Sequence, residues 1–141
     1  MGMLYAEQLE YMELDSMQER HESEIKILNE IDKMAILLER GEGTLEALEA
    51  KVEEYIAHVK EHFADEEKLM EEYDFPSYEM HKMAHDMFLV DLTYAIKQWK
   101  HYEDINKMIN FVRKTPEWLV MHVNSVDRPT ADYLAQKIKK S

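Results

Sequence analysis

The sequence predicts an all-α protein, an up-down-up-down antiparallel four-helix bundle with a metal site in the bundle core. Three observations carry that prediction. Four long segments repeat apolar residues at spacings near three and four. Three glycines and three prolines in 141 residues leave too little turn punctuation for a many-stranded sandwich or barrel. Seven histidines stand beside thirty acidic residues, and six of the seven fall inside the helical segments.

The first helix is expected from about Asp15 to Arg40, on Ile25, Leu28, Ile31, Ile36 and Leu38. Gly41-Glu-Gly43-Thr44 ends it, with glycine as the C-cap and the Thr44 hydroxyl as the N-cap of the next helix. The second helix, Leu45 to Glu72, repeats Leu48, Val52, Tyr55/Ile56, Val59, Phe63 and Met70. It stops at Tyr73-Asp-Phe-Pro76, where Pro76 blocks continuation but suits a new first turn. The third, Ser77 to Lys100, takes Met80, Met83/Ala84, Met87/Phe88, Val90, Tyr94 and Ile96 as its apolar positions. A fourth begins near Glu103, is interrupted at Thr115-Pro116, restarts with Trp118, breaks again around Asp127-Arg-Pro129 and resumes to Lys140. Met34, Met70, Met80, Met83, Met87 and Met108 are expected to act as flexible core packing.

Composition narrows the function. The length suits a single domain over residues 1–141. With no cysteine there are no disulfides, thiolate metal sites, iron–sulfur clusters or cysteine nucleophiles. A net charge of −13 repels DNA, RNA and anionic membranes, so no nucleic-acid or membrane partner is expected. No stretch approaches the roughly 20 apolar residues of a membrane span. Met1 to Leu14 is acidic and has no basic n-region, so a cytoplasmic protein is expected rather than an exported one. No protein-partner surface is identifiable from the sequence.

The histidines stand in register with further ligands. His62 and Glu66 lie four apart, one turn apart on one helix face, and His81 and His85 repeat that spacing with two imidazoles. His122 and Asp127 are five apart, and the expected helix break between them lets Asp127 swing back beside His122. His21 stands in the first helix, so all four helices supply candidates. Five imidazoles and two carboxylates are too many for one four-coordinate zinc. They fit two octahedral first-row metals bridged by the carboxylates, iron or manganese, with two irons the sharper choice for so histidine-rich a set.

At this point the pattern resembles the hemerythrin family, specifically the single-domain bacterial hemerythrins. The resemblance rests on His62-Phe63-Ala-Asp-Glu66-Glu67-Lys-Leu-Met70 followed by Tyr73, Pro76, His81, His85 and Phe88. It rests also on Trp118-Leu119-Val-Met-His122 with Asp127, and on His21 with Asn29 eight residues on. It covers nearly the whole chain. The resemblance implies two iron ions bridged by oxo or hydroxo, with His81, His85 and His122 on one iron and His21 and His62 on the other. Glu66 and Asp127 would bridge them, and the second iron would keep an open position for dioxygen. Phe63, Trp118, Leu119 and Val123 match the family's pocket-lining positions.

Two departures belong together. Where the family usually has an apolar residue three positions after the first-helix histidine, this chain has Glu24, and His58 is an additional histidine one turn before His62. Three readings follow. Glu24 points to solvent while Ile25 fills the pocket; Glu24 and His58 form a buried hydrogen-bonded pair; or Glu24 ligates iron and obstructs dioxygen. Milder departures are Gln18 and Arg20 before the first histidine, a missing N-terminal tryptophan, and Met121 before His122. His101, at the end of the third helix, is expected at the surface.

Two functional classes follow. The first is a non-haem di-iron protein that binds dioxygen for storage, delivery or sensing. The second is a di-iron enzyme acting on peroxide, dioxygen or nitric oxide, with Glu24 and His58 altering or blocking the open iron position. An iron store or a purely structural bundle has no support in the pattern.

Overall fold

A computed structural model describes residues 15–140, and Met1 to Leu14, expected above not to form a leader, lie outside them. The chain forms α1 (Asp15–Glu39), α2 (Leu45–Glu72), α3 (Tyr78–Tyr102) and α4 (Asn106–His122), then a π-helical turn (Val123–Asp127) and α5 (Arg128–Lys140). The last three run on from one another as a single long fourth helix. Among the described residues there is no strand, and no helix is long and apolar enough to cross a membrane.

The architecture is a four-helix bundle, as the periodicity predicts. Helix α1 packs on α2, α2 on α3, α3 on α4 and α4 back on α1, closing a ring of antiparallel neighbours around one core. Ile25, Leu28, Ile31, Leu48, Val52, Val59, Leu92, Met108, Val112 and Leu134 fill that core with essentially no exposure. The first connection forms as expected. Gly41 and Gly43 adopt φ of 81° and 76°, a left-handed conformation that costs glycine little. The Thr44 hydroxyl accepts from the Ala47 amide at 3.1 Å, capping α2. The second connection is tied down from α5, where the Tyr133 hydroxyl donates to the carbonyls of Tyr73 and Asp74 at 3.1 and 3.2 Å.

Three expectations need correction. First, the fourth helix starts at Asn106 and passes through Thr115-Pro116 without interruption. Proline removes one helical hydrogen bond at a cost of about 3 kcal/mol. Here Pro116 is buried between Val112 and Leu119, and the Thr115 hydroxyl donates to the Phe111 carbonyl at 2.9 Å, so packing carries the helix across. Second, there is no break at Asp127-Arg-Pro129. Pro129 follows directly on the π-turn within the same continuous helical run, and the irregularity is that widened turn rather than a break. Third, α3 turns a different face inward. It buries His81, His85, Phe88, Leu92, Ala95 and Trp99, while Met80, Met83 and Met87 are exposed and are not core packing. Both faces satisfy the three-and-four spacing, and counting the inward histidines as polar selects the wrong one.

Candidate metal centre

All four bundle helices contribute to one buried polar cluster. His21 comes from α1, His62 and Glu66 from α2, His81 and His85 from α3, His122 from the end of α4 and Asp127 from the π-turn, and every one of these is buried. Their ligand atoms form two groups, His81 with His85, His122 and Asp127, and His21 with His62, Glu66 and Asp127, each group lying within 4.8 Å.

Both carboxylates span the two groups. Asp127 turns Oδ2 toward His21 Nε2 at 2.8 Å, and Oδ1 toward His81 Nε2 at 2.8 Å and His122 Nε2 at 3.0 Å. Glu66 sets Oε2 against His62 Nε2, and Oε1 at 3.1 Å from His81 Nε2 and 3.4 Å from His85 Nε2.

The orphaned atoms test whether these residues fit a metal. Nε2 of His21, His81, His85 and His122, Glu66 Oε1 and Asp127 Oδ1 are buried without a hydrogen bond of acceptable geometry. A buried polar atom left unpaired costs about 1–3 kcal/mol, so a cluster of them in one place calls for a common partner. The atoms converge on shared points instead of aiming at one another. Nitrogen and carboxylate oxygen without thiolate is the donor set of a first-row transition metal, and the residues fit one.

The outer ring nitrogens agree. His85 Nδ1 donates to Glu67 Oε2 at 3.0 Å and His62 Nδ1 to Glu24 Oε2 at 3.1 Å. His81 Nδ1 lies 2.8 Å from the Thr130 hydroxyl, whose own proton goes to the Val126 carbonyl at 2.9 Å, so the ring donates there too. An acceptor on Nδ1 leaves the Nε2 lone pair facing the centre, which is how proteins orient metal-ligating imidazoles.

Without a metal the cluster holds protons. Burial disfavours charge on His21, yet the Asp127 and Glu66 carboxylates outweigh it and raise its pKa to about 9. His81 rises to about 9 by the same balance of burial against Asp127 and Glu66. Burial likewise opposes charge on His62, and Glu66 and Glu24 together push it well up. Burial would raise Glu66 and Asp127, but the surrounding imidazoles hold both well below the usual carboxylate range.

The π-turn explains the five-residue spacing of His122 and Asp127. A π-turn closes on residue i+5, so the two side chains share a face without the helix breaking. The expected swing of Asp127 out of a broken helix is replaced by this widened turn.

Glu24 departs from all three of its readings. It does not point to solvent, because both Glu24 and Ile25 are buried. It does not pair with His58 either, whose Nδ1 has no partner and whose ring centroid lies 6.2 Å from that of His62. Helical side chains tilt toward the helix N-terminus, so His62 leans back into the level between the two, and Glu24 meets it first. Nor does Glu24 belong to either ligand group, so it touches the centre only through His62. His58, with Arg20, Glu61 and His62, lines a small cleft of about 140 Å³.

Aromatic rings wall the cluster. Phe63 stacks on His85 with centroids 3.9 Å apart, and Trp118 stacks on His122 at 4.5 Å and on Phe88 at 4.4 Å. Leu119 and Val123 are buried in the adjoining core. Sequence reasoning missed Glu67 and Thr130. The Asp65-Glu66-Glu67 run reads as a solvated face apart from Glu66, yet Glu67 holds His85, and nothing in the spacing pairs Thr130 with His81. His101 is exposed, as expected.

Comparison with known proteins gives the same picture. The sequence model of the Hemerythrin HHE cation binding domain matches residues 12–129. The chain is 30% identical over 115 residues to the Bacteriohemerythrin of Aquifex aeolicus (strain VF5), covering 81% of this chain and 84% of that protein. It is 35% identical over 83 residues to the Bacteriohemerythrin of Ralstonia nicotianae (strain ATCC BAA-1114 / GMI1000), covering 59% of this chain and 60% of that one. A Bacteriohemerythrin of Campylobacter jejuni subsp. jejuni serotype O:6 aligns over 139 residues at 24% identity, 98% of this chain and all of the relative. No solved structure matches the chain significantly.

Proposed function

The chain belongs to the hemerythrin family, and from that premise we propose that it is a non-haem di-iron protein that binds dioxygen in a buried pocket between its helices. The observation that carries this reading is the pair of adjacent ligand groups, with Asp127 in both and Glu66 reaching from the second group to His81 of the first. His81, His85 and His122 would hold one iron and His21 and His62 the other, with Glu66 and Asp127 bridging and an oxo or hydroxo group completing the bridge. When bound, the iron pair supplies the electrons that dioxygen takes up.

The chain's own residues set the conditions for that chemistry. Phe63, Trp118, Leu119 and Val123 keep water from the pocket, which favours release of dioxygen over oxidation of the site. Glu24, Glu67 and Thr130 fix the rings of His62, His85 and His81 through their outer nitrogens.

A second reading, a di-iron enzyme acting on peroxide, dioxygen or nitric oxide, has one specific observation in its favour. The buried Glu24 carboxylate beside His62 makes that ring a stronger donor and so favours the oxidised site. Aeration of the reduced, iron-loaded protein separates the two. Binding gives a visible charge-transfer spectrum that forms on oxygenation and disappears on deoxygenation, with about two irons per chain. Rapid one-way conversion to the ferric form supports the enzyme, and one zinc or no metal at all would end both.

A further inference from the structure

Helix α3 carries a second apolar stripe on the side away from the metal centre. Met80, Met83, Met87, Val90 and Tyr94 are each 60–68% exposed. They follow one another at alternating steps of three and four, the spacing of a coiled-coil seam, and Lys97 occupies the next seam position. His85, Leu92 and Trp99 lie on the opposite face and are buried, so the stripe faces straight out of the bundle. A groove of about 450 Å³ between Met87 and Trp118 runs along one flank, and one of about 530 Å³ bounded by Asp86 and Tyr94 along the other. A contiguous apolar patch of this kind on a helical surface marks an interaction site.

We propose that this stripe is the interface of a two-fold homodimer in which α3 packs antiparallel against α3 of a second copy. The order of charges selects both the occupant and its direction. In an antiparallel seam the two kinds of seam position meet each other. Met80 therefore faces Lys97 of the second copy, Met83 faces its Tyr94 and Met87 faces its Val90. Every apolar position is covered, and the Lys97 stem lies over Met80 with its ammonium free to reach outward.

The flanking positions then bring Glu79 against Lys100 of the second copy, twice by symmetry. Both are exposed, and the only ion pair of Lys100 among the described residues is a 4.0 Å contact with Glu53. A parallel pairing sets Asp86 against Asp91 and Lys97 against Lys97, two repulsive contacts in place of two attractive ones. The seam from Met80 to Lys97 is about 26 Å long, at 1.5 Å per residue. A single-helix seam of that length buries little surface, so the association is expected to be weak.

Sedimentation velocity of the full chain from about 1 to 500 µM tests this directly. The expected result is a reversible monomer–dimer equilibrium. Val90→Glu, on the solvent side of α3, abolishes the dimer with unchanged helicity. Glu79→Lys weakens association severalfold, and Glu79→Lys/Lys100→Glu restores it. Because the chain has no cysteine, introduced thiols report direction without interference. Under mild oxidation a mixture of Met80→Cys and Lys97→Cys chains cross-links, whereas Met80→Cys alone does not. A monomer at every concentration overturns the proposal, including the case where residues 1–14 cover the stripe. A dimer insensitive to Val90→Glu, or self-linking of Met80→Cys, overturns it as well.

Discussion

The Glu24 carboxylate lies 3.1 Å from Nδ1 of His62, on the far side of the ring from Glu66. One imidazole is thus gripped between two buried acids on two helices. Glu66 belongs to one of the two candidate ligand groups, whereas Glu24 touches them only through the ring. Replacing Glu24 by Gln keeps an acceptor for the Nδ1 proton and removes the charge. The expected result is an intact bundle whose affinity for metal falls about 10–100-fold, read by competition with a chelator. Unchanged affinity would show that the charge of Glu24 has no influence on His62.

The metal-free chain has a pH dependence set by the same cluster. His21 and His81, raised from 6.5 to about 9, contribute stability fully below pH 6.5 and lose it as the pH climbs to about 9. Glu66 and Asp127, held below their usual values of 4.5 and 3.8, contribute above those values and lose it in acid. Urea titrations of the metal-free protein therefore place maximal stability between about pH 4.5 and 6.5, with a decline toward pH 9. Metal must displace the ring protons, so loading near pH 7.5 releases protons in a pH-stat experiment.

Thr130→Val keeps the volume and removes the acceptor for His81 Nδ1. The hydroxyl and the ring are both buried. An unsatisfied N–H in that position costs about 1–3 kcal/mol, which appears as a lowered urea midpoint with an unchanged slope. Thr130→Ser, which restores the hydroxyl, recovers most of the loss.

The two faces of α3 separate cleanly on truncation. Leu92→Ala leaves a cavity in the fully buried core and lowers stability by about 2–5 kcal/mol. Val90→Ala, measured at concentrations where the chain is monomeric, changes it by less than about 0.5 kcal/mol. Thermal or chemical denaturation of the two variants side by side checks the assignment of faces.

The bundle and the polar cluster were legible because both are written in short-range spacing. A step of four residues puts His62 beside Glu66 and His81 beside His85 on any α-helix, whatever the rest of the chain does. The inward face of α3 was not legible from hydropathy, since its buried histidines look polar and its exposed methionines look apolar. Thr130 and Glu67 escaped for another reason. Their partners lie 49 and 18 residues away, and no local pattern encodes a contact that exists only after the helices have packed. Glu24 stood between these cases. Its level in the bundle could be counted from His21, but which ring it meets there, His58 or His62, is decided only by the packing of α1 on α2.

The widened turn at Val123–Asp127 carries one residue more than an α-helix needs between His122 and α5. Deleting one residue there would close the turn to ordinary helical spacing and leave Asp127 four residues from His122, still on the same face. Thr130, Ala131 and Leu134 would keep their phase toward the interior. Inserting one has no such slack, and it would rotate everything downstream by about 100°. The Ser125 hydroxyl in the same turn donates to the Met121 carbonyl at 2.6 Å, so that position is constrained as well. This is a stretch that can shorten by one residue but not lengthen.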